Sequence, residues 1–214
     1  VGKARINPYL AAEKYLDQLG WNVESSRTWS NYDNETRMII LPGSFLRTKG
    51  MAIRVLDWVS RGGNLVMTIE GGEPDRNDFT ELDSGMGVSK GGDYPGLNHV
   101  LEQLGISSAH YSYQAADHNS KNRGHLSRPW ELVKTKEEWG GHSLEFEGEV
   151  GLEIEKGRNW IPGKDEKSRM VGTNYGSGEV LVLAHARPFR NPYLARADHA
   201  DFLDHLSGVY GRSG

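Results

Sequence analysis

The sequence predicts an α/β fold with a parallel strand pair, on three observations. A short apolar run, Met38-Ile39-Ile40-Leu41, stops at Pro42-Gly43. A helical period follows over 49–60, and a second apolar run, Leu65-Val66-Met67-Thr68-Ile69, begins after the break at Gly62-Gly63. Runs this short and this apolar suit strands buried on both faces, and the order strand, helix, strand pairs the two in parallel with a right-handed crossover.

The remaining elements follow in chain order. Residues 7–20 predict a helix: Asn7 caps it, Pro8 suits its first turn, Gly20 supplies a left-handed stop, and Tyr9, Ala12, Leu16 and Leu19 form its apolar stripe. Trp21 to Ser26 reads as a strand. The 49–60 helix presents Met51, Val55, Trp58 and Val59 on one face. From 71 to 96 the pattern gives way to a Gly- and Asp-rich loop, and over 71–108 seven acidic residues against two basic ones give a net charge of −5. Leu97, Val100, Leu101 and Leu104 mark a third helix, ended by Gly105. Residues 107–160 read as a β-rich insertion. Within it Leu144, Phe146, Val150, Leu152 and Ile154 alternate with Glu145, Glu147, Glu149, Glu153 and Glu155, as in a sheet with one wet face. Gly148 either kinks one strand or turns a hairpin. Met170–Tyr175 and Glu179–Ala184 flank Gly176-Ser177-Gly178 as a tight hairpin, and a last helix over about 195–210 packs through Leu203, Leu206 and Tyr210. No internal repeat interrupts this order, so residues 1–214 read as one domain carrying the 71–96 loop and the 107–160 insertion.

Composition narrows the function. The chain has 214 residues and no Cys, which removes disulfides, thiolate metal sites and a cysteine nucleophile. Twenty-five basic against 29 acidic side chains give a net charge of −4, without a basic stripe, so nucleic acid is not the expected partner. No run reaches the roughly 18 apolar residues of a membrane helix.

The strand ending Leu41-Pro42-Gly43, the helix, Gly62-Gly63, the second strand and the late Gly-x-Gly hairpin together resemble the class I glutamine amidotransferase-like fold. The resemblance implies a flavodoxin-like three-layer α/β/α sandwich with a mostly parallel central sheet. In that superfamily a strand ends in Pro-Gly-Gly, a later strand carries a nucleophilic cysteine on a sharp elbow, and a histidine follows a late strand. Here Ser44 replaces the second glycine and the elbow falls at Glu70-Gly71-Gly72. The chain also resembles, more specifically, an uncharacterised bacterial family with this fold, found in membrane-anchored proteins and often encoded near MoxR-type ATPases. Three stretches carry that likeness: Ala4-Arg5-Ile6-Asn7-Pro8-Tyr9-Leu10-Ala11-Ala12-Glu13, Leu56-Asp57-Trp58-Val59-Ser60-Arg61-Gly62-Gly63-Asn64-Leu65-Val66, and Phe189-Arg190-Asn191-Pro192 with Asp198-His199-Ala200. Residues 107–160 lie outside it. It implies flanking membrane helices, an extracytoplasmic location, and protein partners in a membrane-associated assembly.

Two groups of residues carry the chemistry. Glu70, at the nucleophile position, cannot replace a thiolate in glutamine hydrolysis, yet with His185, placed after a late strand, it could form an acid and base pair. Arg5, Asn7, Asn191, Asp198 and His199 form the second candidate, a polar cluster that either holds a small polar ligand or ties the terminal segments together. Asp198 and Asp201 are expected to serve the start of the last helix through capping and its dipole. Asp201 and His205, four apart, share a face suited to half of a metal site, but capping explains the carboxylates better, and no metal or cofactor is expected. Asp75, Asn77, Asp78, Glu81 and Asp83 lack the alternation of a calcium loop. Trp130, Trp139 and Trp160 are read as packing residues rather than a sugar platform. The leading expectation is a non-catalytic ligand- or protein-binding domain; the competing one is a hydrolase using Glu70 and His185.

Overall fold

Strand β1 (Met38–Pro42), helix α2 (Lys49–Ser60) and strand β2 (Asn64–Thr68) form the expected unit, with β1 parallel to β2 from Met38 opposite Asn64 to Pro42 opposite Thr68. The computed structural model describes residues 7–26, 28–29, 32, 35–69, 94–110, 130–135, 140–147, 150–154 and 168–211. Within them the fold is mixed α/β, with four helices and a mostly parallel sheet. Helix α1 is Leu10–Gln18, α3 Pro95–Leu104 and α4 His199–Tyr210. The other strands are β3 (Ile106–His110), β4 (Trp130–Lys134), β5 (Ser143–Glu147), β6 (Val150–Ile154), β7 (Met170–Tyr175) and β8 (Gly178–Leu183).

The main sheet has the order β1-β2-β8-β7. Strand β8 lies parallel to β2, and β7 closes the sheet antiparallel, running from Met170 opposite Leu183 to Tyr175 opposite Gly178. Alternation along these strands divides the apolar residues between two cores. Leu65, Met67, Val180 and Val182 pack with α2 and α3 through Val55, Val59, Val100 and Leu104. On the other face Val66, Leu181 and Leu183 pack with α1 and α4 through Leu16, Phe202, Leu203 and Leu206. Each such buried side chain contributes roughly 1.5–3 kcal/mol.

Local punctuation explains the element ends. Gly20, at φ +90°, closes α1 as a Schellman turn, with Trp21 N–H donating to the Leu16 carbonyl at 3.1 Å and Gly20 N–H to that of Asp17 at 3.0 Å. Thr48 caps α2, its hydroxyl accepting from Met51 N–H at 3.3 Å. Gly176, at φ +62°, takes the first central position of the two-residue turn between β7 and β8, where a II′ turn requires glycine. That turn docks on the end of α2: Ser177 N–H donates to the otherwise unsatisfied Ser60 carbonyl at 2.9 Å.

Several expectations need correction. Helix α1 begins at Leu10, because the Asn7 side chain accepts from Tyr9 N–H at 2.9 Å and closes a turn before the helix. Trp21 to Ser26 is not a strand; Trp21 and Val23 instead pack against the core between the sheet and α4. Only Leu41 of β1 is fully buried, since β1 ends the sheet order among the described residues. Strands β5 and β6 are neither one kinked strand nor a hairpin with each other: β5 pairs antiparallel with β4, and β6 with β3. Glu153 is exposed as expected, whereas Glu145 is half-buried and ion-paired. Residues 71–93, the larger part of the acidic loop, lie outside the described residues.

Candidate functional site

The carboxyl end of β8 leads directly into most of the nominated side chains. Strand pairing persists to the last residue before Glu70, with Ile69 N–H donating to the Leu183 carbonyl at 2.7 Å. Glu70 itself and Arg5 lie outside the described residues. His185 is buried, and its Nδ1 accepts from the backbone N–H of Arg187 at 3.0 Å. Because that backbone group can only donate, the neutral ring carries its proton on Nε2.

Arg187 opens a single 3₁₀ turn, Arg187–Phe189, and is 1% exposed. Its Nε donates to Glu145 Oε2 at 2.8 Å, and its guanidinium carbon lies 3.7 Å from the centroid of the Tyr193 ring. The pair therefore combines an ion pair, a hydrogen bond and a cation–π contact. His199, fully buried beside it, donates from Nδ1 to the Tyr193 carbonyl at 2.8 Å and accepts the Glu145 backbone N–H on Nε2 at 2.9 Å. Burial holds its pKa below the ordinary imidazole value; the Tyr193 carbonyl, Glu145 and Asp198 oppose that shift, and Arg187 reinforces it.

Asp198 stands at the N-cap of α4 but makes no side-chain cap bond. Its carboxylate turns to β5 instead and accepts Ser143 N–H at 2.7 Å, while its own N–H donates to the Ser143 carbonyl at 3.0 Å. The capping expected of Asp198 is thus replaced by two hydrogen bonds to Ser143 across the α4–β5 contact.

Asn7 and Asn191 are brought together at the other end of the segment. The Asn191 side chain donates to the Asn7 carbonyl at 2.7 Å and accepts Ala11 N–H at 2.8 Å. Its backbone N–H donates to the Pro8 carbonyl at 2.8 Å. Asn191 therefore satisfies an orphan donor in the first turn of α1 from 180 residues away. The Asn7 amide reaches Glu13 Oε2 at 2.8 Å. We expect Asn191→Ala to lower unfolding free energy by about 1–2 kcal/mol, as for a lost N-cap plus a lost donor. Asn191→Asp, which keeps the acceptor, should lose about half of that. Urea denaturation measures both, and a loss for Asn191→Ala below about 0.3 kcal/mol would show that the tie carries no stability.

The nominated residues thus fall into two arrangements: Asn7 with Asn191, and Asp198 and His199 with β5. Glu145, Arg187, Tyr193 and His142 belong to the second and were not singled out from the sequence. Asp201 is exposed, and among the described residues no group of three His, Asp or Glu side chains could hold a metal ion. Among these residues no helix is long and apolar enough to cross a membrane. A separate surface groove of about 250 Å³ between α2, α3 and Tyr175, lined also by Asp57 and His99, contains none of the nominated residues.

The family described as a domain of unknown function, DUF4350, matches residues 2–206. The chain belongs to this family. No curated protein matches the DUF4350 chain. Among solved structures it is similar to one described as the mmIFT52 N-terminal domain, at 12% identity and a TM-score of 0.54, covering 94% of this chain and 91% of that one. It is also similar to Gan42B, a GH42 beta-galactosidase from G. stearothermophilus, at 18% identity and a TM-score of 0.45, covering 81% of this chain but 21% of that one. The cytoplasmic protein STM1381 from Salmonella typhimurium LT2 matches at 13% identity and a TM-score of 0.43, with 81% and 71% covered. At these identities the first likeness concerns the fold alone.

Proposed function

We propose that the chain is a three-layer α/β/α sandwich of the amidotransferase-like kind, one domain over 1–214 with an insertion at 107–160, and that it acts as a non-catalytic ligand- or protein-binding domain. We further propose that it belongs to a membrane-anchored bacterial envelope protein and faces away from the cytoplasm, where it joins a membrane-associated assembly. The absence of cysteine removes glutamine hydrolysis.

The observation that carries the non-catalytic reading is the hydrogen bond to His185 Nδ1. A histidine base of the triad type donates from Nδ1 and presents a lone pair at Nε2. Here Nδ1 accepts, so Nε2 bears the proton and the ring stabilises its own turn. The other nominated polar groups also join chain segments: Asn191 holds α1, and Asp198 and His199 hold β5. A hydrolase in which His185 is the base, taking a proton on Nε2, would require the opposite tautomer.

The test replaces His185 by Asn, whose Oδ1 falls near Nδ1 and accepts the same N–H. His185→Asn should unfold within about 1 kcal/mol of the parent, whereas His185→Ala, which strands a buried donor, should lose about 1–3 kcal/mol. Imidazole ¹⁵N spectra should show the Nε2–H tautomer. A Nδ1–H tautomer, or a hydrolytic activity abolished in the folded Asn variant, would overturn the reading. Location is tested apart from this, by protease accessibility of the domain in spheroplasts expressing the full reading frame; protection until the membrane is broken would refute it.

A further inference from the structure

Three histidines, His142, His199 and His205, line the contact between β5 and α4. Three consecutive attachments run along it. His142, just before β5, meets His205 of α4 edge-on with ring centroids 5.5 Å apart, and meets Phe202 at 6.0 Å. Ser143 exchanges two hydrogen bonds with Asp198, and Glu145 N–H donates to His199 Nε2. Beneath these attachments Leu144 and Phe146 are completely buried in the same core as Phe189, Phe202 and Leu203.

His199 and His205 fit this contact in their neutral forms. Both ring nitrogens of His199 are engaged, one donating and one accepting, so a second proton would set N–H against the Glu145 N–H. His142 Nε2 is buried with no hydrogen-bond partner among the described residues, and Gly140 lies so close that a Cβ there would stand 2.3 Å from it. Charges on both His142 and His205 would repel at close range.

We propose that this contact is a proton-controlled latch: neutral His199, with His142 and His205 beside it, holds β5 on α4, and protonation releases β5 and uncovers Leu144 and Phe146. This is independent of the binding reading and of any membrane anchor.

The charged surroundings set the direction. Facing His199 are Glu145 from β5, Arg187 from the 3₁₀ turn and Asp198 at the start of α4. Facing His205 are His142 and Asp204, while α1 brings Tyr15 opposite Asp201 and Asp204. The carboxylates favour the proton, but burial outweighs them: the pKa of His199 is lowered by burial with Arg187 adding to it, and that of His205 by burial and then by His142. A group lowered in the closed contact takes up its proton more readily once freed. The contact is therefore fully held above the ordinary imidazole value of about 6.5 and weakens as the pH falls from there toward the closed-state values.

Amide hydrogen exchange of the 214-residue chain, corrected for intrinsic rates, tests this between about pH 7.5 and pH 5. Protection of the Ser143 and Glu145 amides should fall at least about tenfold on acidification, while Val66 and Met67 of β2 change less than about twofold. In the double variant His199→Gln with His205→Gln, which cannot titrate at these positions, protection of β5 should be flat across the same range. Unchanged β5 protection in the parent overturns the latch, as does an equal loss in β2, which would mean global unfolding. Should the double variant not fold, the ¹⁵N titration of His199 in the parent decides: its protonation must coincide in pH with the loss of Glu145 protection, and a separation of more than about one unit overturns the proposal.

Discussion

Gly178→Ala is expected to destabilise the protein by about 3 kcal/mol or more, from a single added methyl group. Gly178 begins β8 where the strand passes under the end of α2. A Cβ at this position would stand 2.2 Å from both the Gly63 and Val59 carbonyl oxygens, and 3.1 Å from the Val59 carbonyl carbon. These are backbone atoms and no rotamer change moves them. They are also fixed from behind, since Gly62 N–H donates to the Val59 carbonyl at 2.9 Å and Gly63 N–H to that of Trp58 at 3.3 Å. The substitution must therefore separate β8 from α2 and strain the core that holds Val59 and Val180. The control is the same change at Gly208, inside α4, where among the described residues nothing outside the helix's own backbone lies within 4 Å of the added atom. There the helix should gain roughly 0.5–1 kcal/mol. In a protein of this size the loss at Gly178 corresponds to a fall of about 6–12 °C in Tm. A Gly178→Ala variant within about 1 kcal/mol of the parent would show that β8 and α2 move apart freely.

The Gly176-Ser177-Gly178 turn is legible because turn chemistry is local, but the reason for Gly178 is a helix end more than a hundred residues earlier. The same holds elsewhere. Strands β1, β2 and β8 and helices α2 and α3 are visible because period and punctuation lie within each segment. Trp21 to Ser26 has the composition of a strand, yet Trp21 is used as a lid on the end of α4, where a Cβ on Gly211 would stand 2.5 Å from its ring. Glu145 looks like every other glutamate of its alternating row; Arg187, 42 residues on, makes it a half-buried ion-pair member. Asp198 has the sequence context of a cap, but Ser143 offers its carboxylate a backbone donor from a strand 55 residues earlier. The fold follows from local signals and the polar network from long-range ones, so the first was readable and the second was largely not.

Arg187→Met should cost about 3–5 kcal/mol, because it leaves the Glu145 carboxylate facing an apolar side chain at a site where water screens the charge poorly. Glu145 is 20% exposed against 1% for Arg187, so the lost interaction lies toward the lower end of that range. Arg187→Lys should recover only part, since an ammonium keeps the charge but neither the planar stacking on Tyr193 nor the Nε donor geometry. Removing both partners separates net worth from stranding. If most of the loss in Arg187→Met is the stranded carboxylate, adding Glu145→Leu must restore stability, with a coupling of at least about 1.5 kcal/mol in the double-mutant cycle. Coupling below about 0.5 kcal/mol would mean that Arg187 acts through its packing and other contacts rather than through Glu145. The pair also has a reporter in His199. Arg187 lowers the His199 pKa and Glu145 raises it, so Arg187→Met should shift the His199 titration upward and Glu145→Gln downward. Since β5 is held by neutral His199, the first variant should loosen the Glu145 amide at a higher pH than the parent and the second at a lower one. Opposite signs from two partners of one ion pair are difficult to produce by general destabilisation, which would move both in the same direction.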